Sequence, residues 1–146
     1  MKYFAYGSNM NSDRMKERGI DFTSRVFARL DDYKLVFNKK ASGGNKTFAN
    51  IEPSEGSHVE GALYEFPDEK IGYLDRCEGH PYHYKRKELT VLDQNGQSMT
   101  AMVYIAHPNK IVSGLLPTRD YLDHLLEGKD LLSDSYYDEL VRVKTL

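Results

Sequence analysis

Residues 2–19 read KYFAYGSNMNSDRMKERG and place an apolar run, a polar turn and a helix-forming segment one after another. Residues 2–6 are predicted to form a short strand because aromatic residues dominate them, and Gly7-Ser8-Asn9 favour a turn. Residues 11–18 are predicted to form a helix that polar side chains cap and Gly19 ends. Backbone N–H groups beside a helix N-terminus can bind an anionic or carbonyl oxygen. Residues 7–9, the opening loop, are therefore a candidate oxygen-binding loop, with an ordinary strand-to-helix turn as the alternative.

The rest of the chain predicts short strands interrupted by a few helices. Strands are predicted over residues 24–30, 33–40, 48–51, 58–66, 82–92 and 98–106. Asp31-Asp32 predicts a hairpin turn, Pro53 predicts the end of a strand, and Asn95-Gly96 predicts a tight hairpin. Helices are predicted over residues 67–79, 117–128 and 135–143. The pattern indicates one domain, residues 1–146, of mixed α/β (α+β) class with a small curved sheet or barrel and a few flanking helices.

The composition is that of an ordinary globular protein. Apolar residues make up 40% and charged residues 29% of the chain, which excludes a disordered tail, a collagen-like repeat and a coiled coil. The 20 Lys and Arg nearly balance the 22 Asp and Glu, so no affinity for nucleic acid or anionic membranes is expected. No run approaches the roughly 20 apolar residues of a membrane span, and the first residues lack a signal peptide's apolar run. We therefore expect a soluble, cytoplasmic protein.

The candidate metal ligands do not form a complete set. Cys77 is the only cysteine, which excludes an internal disulfide and a multi-thiolate site. His80 and His83 are a possible zinc pair, but Pro81 between them prevents them from sharing one helix face. They are better interpreted as loop histidines, with a supporting role at a pocket edge as the alternative. No metal site is expected.

Glu78 is the most informative titratable residue. It is predicted at the C-terminal end of a helix, directly before Gly79, where the helix dipole disfavours a carboxylate. That position would raise its pKa and suit it to proton transfer, whereas a solvated glutamate is the alternative interpretation. Ser8 is not surrounded by a nucleophile-elbow motif, so nothing local marks it as a nucleophile.

Several segments, taken together and in order, resemble the γ-glutamylcyclotransferase family, also called AIG2-like. The first is Tyr3-Phe4-Ala5-Tyr6-Gly7-Ser8-Asn9-Met10. The most specific is Leu74-Asp75-Arg76-Cys77-Glu78-Gly79, which Tyr82-His83-Tyr84 follows. Further similar segments lie at residues 28–30, 33–38, 49–53, 61–64 and 117–122 and at Gly128. The resemblance extends from about residue 3 to residue 128.

The resemblance implies a nearly closed sheet around one cavity. It also implies an enzyme that cyclises a γ-glutamyl group to 5-oxoproline and releases the attached amine. Glu78 would be the catalytic acid/base, and the substrate would contact Tyr3, Phe4, Ala5, Tyr6, Gly7, Ser8, Asn9 and Tyr121. A core position on an apolar helix face is the alternative for Tyr121. No metal or organic cofactor is expected, and the expected partner is a small γ-glutamyl compound.

Three functions stay open at this point. The enzyme could release an amino acid, or it could act on γ-glutamylamines and release another kind of amine. A binding module of the same fold without turnover is the third, although Glu78 argues against it because a pure binder needs no proton carrier. The leaving amine is expected to contact loops such as residues 41–46 and 80–83.

Overall fold

The computed structural model describes residues 1–146 and contains five strands and four α-helices. The strands are β1 (Lys2–Ala5), β2 (Ser24–Lys40), β3 (Thr47–Glu65), β4 (Tyr84–Leu92) and β5 (Ser98–Ala106). The helices are α1 (Ser12–Glu17), α2 (Ile71–Glu78), α3 (Arg119–Leu126) and α4 (Asp134–Val141). Short 3₁₀ turns cover Ser8–Met10, Asp68–Lys70 and Pro108–Lys110. None of the helices has both the length and the apolar character to cross a membrane.

The strands close into a barrel in the order β1-β3-β2-β4-β5. Neighbouring strands are antiparallel, except that β5 meets β1 in parallel where Met102 pairs with Tyr3. The β4–β5 hairpin turns at Asn95-Gly96, where Gly96 has a φ of 78°. The predicted mixed class with a curved sheet or barrel is confirmed, and so is this hairpin.

The long β2–β3 ribbon shows that two sequence predictions were wrong. Asp31-Asp32 does not turn the chain, because β2 continues through it and only shifts its register against β3. Asp32 has a φ of 63° and accepts a hydrogen bond from the Gly56 N–H, so the pair forms a bulge rather than a hairpin. Pro53 does not end a strand either, since β3 passes through it opposite Tyr33. Proline is tolerated beside such a register shift because the ladder is already interrupted there.

β1 separates two apolar layers. Phe4 and Tyr6 belong to a buried cluster inside the barrel, where they pack against apolar side chains of the other strands. Tyr3 and Ala5 belong to the cluster that lies between the barrel and the helices. This alternation is the period of two expected of a strand. A side chain at Gly61 would place its Cβ against the Ala5 carbonyl oxygen, so β1 can approach β3 this closely only because residue 61 is glycine.

The helices begin at the polar caps that the sequence offers. The side chain of Asn11 accepts from the Asp13 N–H, and Thr118 and Ser133 cap α3 and α4 in the same way. At the other end of α2, Gly79 adopts the left-handed conformation with a φ of 65°. The predicted opening unit and the three later helices are confirmed. The opening loop and the end of α2 are thereby fixed relative to the barrel.

Candidate active site

A wide cavity of about 360 Å³ lies between the opening loop, α1, the end of α2 and the β2–β3 ribbon. A narrow cleft of about 30 Å³ adjoins it and reaches Gly7 and Asn9. Four residues line both spaces: Ser8, Glu78, Tyr84 and Tyr121. Three of the predicted site residues, Ser8, Glu78 and Tyr121, therefore meet where the two spaces join.

Glu78 is held by only one of its two carboxylate oxygens. Its Oε1 accepts from Asn9 Nδ2 at 3.1 Å and from Arg18 Nη1 at 3.3 Å. No hydrogen bond involves Oε2, and the side chain keeps 18% of its surface exposed. The carboxylate is thus fixed in position and has one oxygen free for a ligand in the cavity.

Burial raises the pKa of Glu78 above the ordinary value of a glutamate. The Arg18 and Arg14 guanidinium groups and the hydrogen bond from Asn9 act in the opposite direction, and the pKa is still raised. The direction expected from the sequence is confirmed. Its principal cause is burial in the cavity wall, whereas the sequence analysis attributed it to the helix dipole.

Arg14 and Arg18 are functional candidates that the sequence analysis missed. They are one helical turn apart, Arg14 on α1 and Arg18 as its C-terminal cap, so both side chains reach the same cavity. Arg18 Nη1 also donates to Asn9 Oδ1 at 2.9 Å, which orients the amide that holds Glu78. The available signal was a pair of arginines spaced i, i+4 directly after the opening loop.

The opening loop presents unpaired backbone donors. The N–H groups of Gly7, Ser8 and Asn9 donate to no backbone carbonyl, because the first N–H groups of a helical turn have no partner within it. A Cβ at Gly7 would lie 3.3 Å from Tyr121 Oη and 3.4 Å from Ala49 Cβ, so the loop packs closely against both. Such donors can receive an oxygen that carries negative charge.

Tyr121 projects its hydroxyl group into the same place. Its Oη accepts from the Ala49 N–H at 3.0 Å, which leaves the hydroxyl proton free to donate. By contrast, the other two hydroxyl groups already donate to backbone carbonyls. The Tyr84 hydroxyl donates to the Ala49 carbonyl oxygen at 2.7 Å, and the Tyr6 hydroxyl donates to that of Tyr104 at 2.6 Å. Burial raises the pKa of Tyr121, so its hydroxyl stays protonated.

Most of the predicted site residues lie together, but two do not line either space. Tyr3 lines the narrow cleft, and its hydroxyl accepts from Asn9 Nδ2 at 3.0 Å. Phe4 is fully buried inside the barrel, and Ala5 is buried beneath the helices. Their contribution is to hold β1 in place, because alternate residues of a strand face opposite sides.

The histidines and the cysteine are separated by the structure. His83 lines the wide cavity, whereas His80 does not. The Nδ1 atom of His80 instead accepts a hydrogen bond from the Arg86 N–H at 3.4 Å. Cys77 is an exposed thiol at the cavity rim. No three His, Cys, Asp or Glu side chains lie where they could jointly hold a metal ion.

Comparison with known proteins places the chain in a family. The family model described as gamma-glutamyl cyclotransferase, AIG2-like, matches residues 3–123. The chain is 33% identical over 107 residues to a gamma-glutamylcyclotransferase of Bos taurus, an overlap of 70% of this chain and 57% of that protein. The chain therefore spans less than two thirds of the length of that relative.

Solved structures share the fold over its whole length. A gamma-glutamyl cyclotransferase structure matches 100% of this chain and 89% of its own, with 26% identity and a TM-score of 0.87. An uncharacterized protein from Homo sapiens matches 99% of this chain and 88% of its own, with 27% identity and a TM-score of 0.87. With a matching family model, this cavity and this fold, the chain belongs to the gamma-glutamyl cyclotransferase, AIG2-like family.

Proposed function

We propose that this chain cyclises a γ-glutamyl group to 5-oxoproline and releases the attached amino acid or amine. The observation that carries the proposal is the half-bonded carboxylate of Glu78, fixed beside the opening loop in the cavity wall. A carboxylate with one free oxygen and a raised pKa is suited to accept a proton and to return it.

The reaction conserves atoms without water or a cofactor. The substrate's α-amine nitrogen attacks its own γ-carbonyl carbon, which forms the ring C–N bond and then breaks the C–N bond to the leaving amine. The attacking nitrogen passes from ammonium to lactam and loses two protons, while the leaving nitrogen passes from amide to ammonium and gains two. Glu78 carries these protons in sequence from one nitrogen to the other.

The protein's remaining task is to fold the γ-glutamyl chain and to stabilise charge. The flexible chain must bring its two ends together, and orientation of this kind can contribute roughly 7–11 kcal/mol in ideal intramolecular reactions. The amides of the opening loop and the free hydroxyl proton of Tyr121 are donors that can stabilise negative charge on the oxygen of the reacting carbonyl. No side-chain nucleophile is required, because the substrate supplies its own.

The test is a direct assay for the product. The purified protein is incubated with γ-glutamyl dipeptides, γ-glutamylamines and glutathione, and 5-oxoproline is measured by mass spectrometry with Glu78→Gln as the control. We expect 5-oxoproline and the released amine in equal amounts from at least one class of substrate. Absence of 5-oxoproline from the entire panel would overturn the proposal in favour of a binding module.

A further inference from the structure

Lys39 is a buried cation without an anionic partner. The residue is 3% exposed and takes part in none of the ion pairs of the molecule. Its Nζ lies 3.0 Å from His83 Nδ1, and 5.8 Å and 5.6 Å from the ring centroids of Phe48 and Tyr84. Its backbone pairs with Phe48 and Ile111, so the position is fixed. These contacts hold the ammonium group but supply no negative charge.

An anion in the cavity would complete this arrangement. Burial of an unpaired charge is costly, and burial together with Lys110 lowers the pKa of Lys39, although the Glu78 carboxylate acts in the opposite direction. Burial and the two lysines also lower the pKa of His83, so its neutral ring can accept from the ammonium group. The Lys39–His83 pair therefore carries one positive charge, which a carboxylate could neutralise.

The position of the pair indicates which part of a substrate it would meet. Lys39 lines the wide cavity but not the narrow cleft that reaches Gly7 and Asn9. On one side, Glu78 is bonded to Arg18. On the other side, Gly79 packs so closely on His83 that a Cβ would lie 2.7 Å from its Cδ2. Glu78 is therefore bonded to one cation, Arg18, and interacts electrostatically with a second, Lys39.

We infer that Lys39, held by His83, binds the α-carboxylate of the amino acid that is released. The preferred substrates would then be γ-glutamyl amino acids, and γ-glutamylamines without that carboxylate would be poor ones. The inference rests on the proposed function. In a γ-glutamyl amino acid the attacking and leaving nitrogens meet at Glu78, and the two carboxylates point away from it. The glutamyl carboxylate lies toward the opening loop, and the other extends into the wide cavity to Lys39.

The experiment compares two substrates that differ only in this carboxylate, γ-glutamyl-alanine and γ-glutamylethylamine. A charge-assisted hydrogen bond of this kind should favour γ-glutamyl-alanine in kcat/KM by about 10- to 100-fold in the unmodified protein. Lys39→Met should reduce this ratio at least tenfold, whereas Lys39→Arg should retain part of it. Lys40→Met is the matched control, because Lys40 is the next residue of β2 and lines neither the wide cavity nor the narrow cleft.

The ratio separates specificity from stability, because both rates come from one protein sample. An equal loss on both substrates, in Lys39→Met or in a second neutral variant Lys39→Gln, would show a structural role and overturn the inference. Equal turnover of the two substrates by the unmodified protein would overturn it as well, while the proposed function would stand.

Calorimetric measurement of the binding of both compounds to Glu78→Gln distinguishes failure of this inference from failure of the proposed function. Suppose that the unmodified protein makes no 5-oxoproline, but Glu78→Gln binds γ-glutamyl-alanine more tightly than γ-glutamylethylamine and loses this preference when Lys39→Met is added. That result would support the carboxylate site at Lys39 and reject the proposed catalysis. Equal binding of both compounds would overturn the inference.

Discussion

Two glutamates of this domain, one buried and one partly buried, have opposite hydrogen-bond environments. Glu60, on β3, is 4% exposed, and both of its carboxylate oxygens are bonded. Its Oε1 accepts from the Ser133 N–H at 2.8 Å, and its Oε2 accepts from Ser133 Oγ at 2.8 Å and lies 3.0 Å from His58 Nε2. Glu78 is bonded through Oε1 alone.

The difference shows how one residue type serves structure in one place and chemistry in another. Glu60 ties β3 to Ser133, the N-terminal cap of α4, through both of its carboxylate oxygens. Glu78 keeps a free oxygen at a cavity, beside cations that hold its position and moderate the effect of burial. The hydrogen-bond partners, rather than burial itself, therefore distinguish the proposed proton carrier.

Removing the proton-accepting ability of Glu78 should have the largest effect. Glu78→Gln keeps the shape and an oxygen for Asn9 and Arg18 but cannot carry a proton, so kcat should fall by about 10²–10⁴-fold. The 5-oxoproline assay measures the loss, and calorimetry should show that substrate still binds. Retention of most of the turnover would mean that another group is the base.

The same variant should remain folded. Because the folded-state pKa of Glu78 is raised, folding is favoured below the ordinary pKa, and this advantage is lost as the pH rises through the raised value. At neutral pH the amide should therefore unfold at the same or a slightly higher temperature than the carboxylate. A clearly lower melting temperature would show that ionised Glu78 stabilises the fold.

The opening loop distinguishes the Glu78 region from the Glu60 region, and crowding it should have the next largest effect. Gly7→Val would force its branched side chain against Tyr121 and Ala49 and displace the free amides, so turnover should fall by about 10²-fold. Gly7→Ala is the matched control and should lose less, because its Cβ needs only a small shift. Unaltered turnover in Gly7→Val would show that the loop is only a connector.

Arg18 should set the pH dependence of the reaction. Arg18 lowers the pKa of Glu78 against the effect of burial, so Arg18→Gln should raise that pKa further. The base must be ionised, and the acidic limb of the kcat/KM profile should therefore move to higher pH. Arg142→Gln, an exposed arginine at the end of α4, serves as the control for lost charge. An acidic limb that stays in place would exclude Arg18 from this role.

Glu60→Gln should affect stability and leave the chemistry alone. The uncharged amide replaces the charge-assisted bonds from Ser133 with weaker neutral ones, at a cost of about 1 kcal/mol in the free energy of unfolding. Urea denaturation measures the cost, and turnover at 25 °C should be unchanged. A loss of turnover comparable to that of Glu78→Gln would contradict the division between the two glutamates.

The local parts of the site could be predicted from the sequence. The opening loop and the end of α2 are marked by glycines and capping residues that act within a few positions, and both were located correctly. The β2–β3 ribbon was not, because the turn tendency of Asp31-Asp32 and the effect of Pro53 are overridden by pairing along the full length of two strands.

The contacts that define the cavity depend on long-range folding. Arg18 and Glu78 are 60 positions apart, and Lys39 and His83 are 44 apart, so no spacing rule joins them. Lysine is seldom buried, and nothing in the sequence around Lys39 distinguishes it from Lys40, which is only partly buried.

The role of Glu78 as the proton carrier is tested by titrating its own carboxyl group with ¹³C NMR of side-chain carboxyl carbons. The signal is assigned by its absence from Glu78→Gln and is followed across pH in the unmodified protein and in Arg18→Gln. We expect a midpoint above the ordinary value of a glutamate, which is about 4.3, and a still higher midpoint in Arg18→Gln. A midpoint at or below that value would contradict the assignment of Glu78 as a proton carrier whose pKa is raised by burial.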